Sequence, residues 1–114
     1  MGTWGVGIFD DDIAGDVRDA FEDEIAGGAD VVNAINRVLA KFRGALDDED
    51  EGPVIYLALA ALQLEYGTVL DSIRKRALEI IDTGEGLDVW EESGPKTLRE
   101  RKRVLQDLGA QLRR

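Results

Sequence analysis

Residues 54–64 read Val-Ile-Tyr-Leu-Ala-Leu-Ala-Ala-Leu-Gln-Leu, which leaves almost no polar side chain in three helical turns. A helix without a polar face has to be covered by other elements on every side. The apolar run from Val54 to Leu62 has nine residues, whereas a membrane-spanning helix needs about 20. We therefore predict a buried helix from Val54 to about Tyr66 at the centre of a soluble protein.

Helix-breaking residues flank this stretch on both sides. Gly52-Pro53 precedes it, and proline suits the first turn of a helix. Gly67 follows it, and glycine is favoured directly after a helix. Further upstream, Asp47-Asp48-Glu49-Asp50-Glu51 carries five successive negative charges that repel one another. We predict that residues 47–52 form a solvated acidic loop.

Four more helices are predicted around the central one, two on each side of it in the chain. The first begins at Asp10, Asp11 or Asp12, any of which can cap a helix, and the second begins at Asp30. The fourth is predicted to be capped by Thr68 and the last to open with a capping box at residues 97–100. Each of these helices has apolar residues spaced as on one helical face. In the first they are Ile13, Val17, Phe21 and Ile25, and in the second Val31, Ile35, Val38 and Phe42. In the fourth they are Leu70, Ile73, Ala77, Ile80 and Ile81, and in the last Leu98, Leu105, Leu108 and Leu112.

These elements predict an all-α protein, a single-domain bundle of about five helices with a buried central third helix. Its 114 residues are the size of one domain, and no linker divides residues 1–114. Residues 1–9 contain three glycines and are predicted to form an irregular arm that packs on the bundle through Trp4, Ile8 and Phe9. Residues 96–114 are predicted to form a basic C-terminal helix.

The composition excludes several kinds of chemistry. The chain has no histidine and no cysteine, which removes the Ser-His-Asp triad, the thiol nucleophile and His- or Cys-based zinc sites. The glycine-rich start lacks the Gly-Lys-Ser/Thr ending of a phosphate-binding loop. EF-hand counts from Asp10 and from Asp47 fail at the twelfth position, which is Phe21 or Ala58. We predict no cofactor, no catalytic residue and no metal ligand; whether the protein is an enzyme stays open, and a non-enzymatic role is favoured.

Charge is separated along the chain. Residues 1–92 hold 22 acids and 7 bases, a net charge of −15, while residues 93–114 hold 2 acids and 7 bases, a net charge of +5. Such an acidic body repels nucleic acid and anionic membranes and attracts basic partners. The alternative interpretation is that the acidic surface only keeps the protein soluble. The absence of cysteine and of a secretory signal pattern predicts a cytoplasmic location.

Two charged surfaces are candidate contact sites. Spacings of four, three and four residues place an acidic set on one face of the first helix: Asp12, Asp16, Asp19 and Asp23. We predict that this face docks a partner protein. The last helix carries a basic cluster at Lys96, Arg99, Arg101, Lys102 and Arg103, of which Arg99, Lys102 and Arg103 are the candidate contacts. The cluster has no interleaved aromatic residue, which disfavours nucleic-acid binding.

Three blocks of sequence resemble an uncharacterised bacterial family that is classified as a domain of unknown function. They are Met1-Gly2-Thr3-Trp4-Gly5-Val6-Gly7-Ile8-Phe9-Asp10-Asp11-Asp12, then Gly52-Pro53-Val54-Ile55-Tyr56-Leu57-Ala58-Leu59-Ala60, then Ala77-Leu78-Glu79-Ile80-Ile81-Asp82-Thr83-Gly84 with Leu87 and Trp90-Glu91-Glu92. Members of that family begin M-G-x-W-G-x-G-x-F, and many have Asn where Asp11 or Asp12 stands here. The resemblance implies a small intracellular bacterial protein and brings no catalytic residues with it.

The favoured hypothesis is a non-enzymatic acidic module that binds a basic protein, for example an immunity-like or antitoxin-like inhibitor. One alternative is a divalent-metal-dependent hydrolase that works with clustered carboxylates. Another is a structural protein that self-associates when the basic last helix of one copy meets the acidic body of another, giving a homo-oligomer.

Overall fold

Seven helices run through residues 7–68 and 70–114, the part of the chain that the computed structural model describes. They are α1 (Asp12–Ala26), α2 (Val31–Lys41), α3 (Arg43–Leu46), α4 (Glu51–Tyr66), α5 (Asp71–Thr83), α6 (Asp88–Glu91) and α7 (Pro95–Leu112). No strand occurs in these ranges. The predicted all-α single-domain bundle is confirmed: the five longer helices are the five predicted ones, and α3 and α6 are short additions.

Helix α4 lies at the centre, as predicted for the third long helix. It contacts α1, α2, α3, α5 and α7, while α6 packs on α7. The α4 side chains that these neighbours bury are Ile55, Leu57, Ala58, Leu59, Ala60, Leu62 and Gln63. A representative contact from α1 is the edge-on packing of Phe21 against Tyr66, whose ring centroids are 5.0 Å apart.

Three of the predicted helix boundaries depend on local chemistry and are confirmed. The Asp11 carboxylate accepts hydrogen bonds from the backbone amides of Ile13 and Ala14 at the start of α1. Asp30 caps α2 in the same way through the Asn33 amide. Gly67 ends α4 with a φ of 77°, a left-handed conformation that glycine adopts without steric cost.

Two predicted helix starts are wrong. Helix α5 begins at Asp71 after Leu70, so Thr68 is not its cap. The Leu70 amide instead donates to the side-chain oxygen of buried Gln63, so a residue of α4 sets this boundary. Helix α7 begins at Pro95, before the predicted box at residues 97–100, because proline is already compatible with the first helical turn.

The acidic segment is shorter than the predicted loop over residues 47–52. Helix α4 starts at Glu51, so Glu51 and Gly52 are helical. The Asp48 carboxylate accepts hydrogen bonds from the amides of Asp50 and Glu51, which lowers the pKa of Asp48 from its ordinary value of 3.8. Carboxylates favour a helix N-terminus, where amides lack partners, and this attraction offsets the repulsion between neighbouring charges.

The predicted arm over residues 1–9 is described only from Gly7 onward, and Trp4 lies outside the described residues. Gly7 and Asp10 form a turn in which the Gly7 amide donates to the Asp10 carboxylate and the Asp10 amide donates to the Gly7 carbonyl. Ile8 and Phe9 are partly buried against the core. The end of the arm therefore packs on the bundle.

Gly52 allows α3 and α4 to come together. It is buried, and a Cβ atom built there would lie against the Leu46 carbonyl oxygen at a distance that real Cβ atoms do not show. The obstacle is backbone rather than a flexible side chain, so the collision cannot be relieved by a rotamer change. A side chain at this position would push α3 away from the start of the central helix.

We predict that Gly52→Ala lowers the free energy of unfolding by about 2–3 kcal/mol, because the new methyl group overpacks a backbone contact. Urea denaturation followed by circular dichroism measures this change. The matched control is Gly44→Ala in α3, where a Cβ atom would meet nothing within 4 Å. We expect the control to be neutral or stabilising by up to about 1 kcal/mol, and equal effects of the two variants would contradict the close approach.

A second prediction concerns Asp48. Its pKa is lowered in the folded protein, so its contribution to stability is present above pH 3.8 and is lost as the pH falls through the lowered folded pKa. We expect Asp48→Ala to unfold at a lower urea concentration than the wild type at pH 6, and the difference to shrink in acid. Asp47→Ala is the control, and an equal loss in that variant would show that the capping hydrogen bonds of Asp48 do not matter.

Candidate functional site

The predicted acidic face of α1 is exposed. Asp12, Asp16, Asp19 and Asp23 are all exposed to solvent and lie opposite the buried residues of the helix, Ala14, Val17 and Phe21. Within residues 7–68 and 70–114, none of the four forms an ion pair or a side-chain hydrogen bond. We refer to these four carboxylates as the acidic stripe.

Other acids near the stripe have partners. Arg18 holds Glu65 of α4 through two hydrogen bonds, at 2.8 and 2.9 Å, and lies 3.7 Å from Glu22. Glu24 lies 3.4 Å from Arg37 of α2. The bases near α1 are therefore engaged on its flanks, and the negative charge of the acidic stripe is not balanced by a described neighbour.

The predicted basic contacts lie on the outer face of α7. Arg99, Lys102 and Arg103 are exposed and form no ion pair within the described part of the chain. Helix α7 contacts α4, α5 and α6 but not α1. The structure thus places the acidic stripe and these bases on two helices that do not touch, and it does not bring them together in one site.

Arg101 is buried, with only 4% of its surface exposed, whereas the other four residues of the basic cluster are exposed. Its guanidinium carbon lies 4.8 Å from the centre of the Trp90 ring, and its Nη1 donates to the Gly7 carbonyl at 3.3 Å. Burial lowers the pKa of Arg101 to about 10, and the charges of Asp11 and Asp10 oppose that shift. The side chain therefore stays charged at neutral pH and ties together α6, α7 and the end of the arm.

The sequence contains a signal for this burial. Leu98, Leu105, Leu108 and Leu112 follow the alternating three- and four-residue spacing of one helical face, with one position missing between the first two. Arg101 fills that position. An arginine on an apolar stripe has to find an anion, a carbonyl or an aromatic face, and here it contacts Gly7 and Trp90.

Two features are absent from the part of the chain that the structure describes. Among residues 7–68 and 70–114 there is no cluster of three or more carboxylates that could hold a metal ion. In the same ranges no helix is long and apolar enough to cross a membrane. The metal-dependent hydrolase therefore stays a prediction.

The third prediction concerns Arg101. We expect Arg101→Ala to lower the free energy of unfolding by about 2–4 kcal/mol, because it leaves a cavity beside Trp90 and removes one of the two hydrogen bonds that the Gly7 carbonyl accepts. Arg101→Lys should recover only part of this loss, since an ammonium lacks the planar group that stacks on the ring. Arg103→Ala, on the exposed face of the same helix, is the control and should change stability by less than about 0.5 kcal/mol. Urea denaturation that gives equal losses for Arg101→Ala and Arg103→Ala would contradict this role.

Comparison with known proteins gives a family and no activity. A family model described as "Domain of unknown function (DUF4259)" matches residues 2–114. The match confirms the resemblance to a family of unknown function that the sequence blocks indicated. No curated protein and no solved structure matches the chain.

Proposed function

We propose that this chain, which belongs to the DUF4259 family of domains of unknown function, is a non-enzymatic module that binds a basic protein through the acidic stripe of α1. The observation that carries the proposal is the exposure of four carboxylates on one helical face without a described base beside them. Like charges at these spacings destabilise a helix by a few tenths of a kcal/mol each. Lysines or arginines of a partner would remove that repulsion.

The net charge of residues 1–92 also favours a basic partner. A net charge of −15 over residues 1–92 attracts positively charged surfaces over distances longer than direct contacts. Such steering raises the association rate and weakens as salt screens it. An acidic partner, nucleic acid or an anionic membrane would be repelled by the same field.

An inhibitor of a basic protein is one concrete form of this function. An immunity-like or antitoxin-like protein acts by covering a surface of its target, and this needs no nucleophile, metal or cofactor of its own. We also propose a cytoplasmic location for this interaction, which fits a chain that has no cysteine and therefore cannot form disulfides.

Self-association is a second candidate, and a separate observation favours it. Arg99, Lys102 and Arg103 are exposed on α7 and are not paired within the described residues. Helix α7 does not contact α1 within the chain, so its basic residues are available to the acidic stripe of another copy. A contact between two different surfaces would build rings or open chains of copies.

The fourth prediction tests the acidic stripe directly. In pull-downs from the native cytoplasm, Asp16→Lys combined with Asp19→Lys should reduce capture of the partner at least about tenfold, because four units of charge change at the contact. Rising salt should weaken capture by the wild type in the same direction. The captured protein is then purified, and its affinity is measured by calorimetry with both variants.

The control is Glu91→Lys combined with Glu92→Lys, which makes the same change in net charge at exposed positions on and after α6. Equal losses in the two double variants would show that only total charge matters and would refute the stripe. If the wild type instead sediments as a salt-sensitive oligomer that the α1 variant dissociates, the partner is a second copy of the chain.

A further inference from the structure

We draw no further inference here: the strongest candidate, the apolar groove between α4, α7 and the end of the arm, carries none because nothing in the structure shows what covers it.

Discussion

The structure depends on the burial of α4. Its side chains from Ile55 to Gln63 are apolar or amide-bearing and almost all of them are fully covered, so five other helices have to pack around it. The burial of α4 also explains the roles of two of its residues that are not large apolar ones. Gly52 lets α3 approach the start of α4, and the side chain of Gln63 fixes where α5 begins. Burial of the central helix thus determines where the surrounding helices start and how closely they approach.

Because the apolar faces of the outer helices point at α4, their opposite faces are free to carry charge. On α1 that face holds the acidic stripe, and on α7 it holds Arg99, Lys102 and Arg103. Arg101 is the exception: it points inward, where Trp90 and the Gly7 carbonyl contact its guanidinium. The net positive charge of the last helix is therefore divided between a surface that can meet a partner and a buried cation that holds the arm.

The same packing leaves an apolar groove between α4 and α7, which is lined by Ala61, Leu64, Val104 and Leu108. Helices α4 and α7 meet over only part of their length, and Ile8 with Phe9 closes one side of the remaining gap. The accessible apolar side chains at this place are the outer edge of the core rather than an added surface.

The sequence by itself determined the number and order of the long helices, the central position of the third one, the caps Asp30 and Gly67, and a first cap among Asp10, Asp11 and Asp12. These features depend on periodicity and on interactions between residues only a few positions apart, which can be read along the chain. The tertiary structure alone decided that Gln63 rather than Thr68 sets the start of α5, that Arg101 is buried, and that an apolar groove remains between α4 and α7. The burial of Arg101 and the groove arise from residues distant in sequence, and the start of α5 depends on a side chain that α4 buries. The pattern of residue types along the chain does not record such contacts, so it predicts the acidic stripe but not the groove.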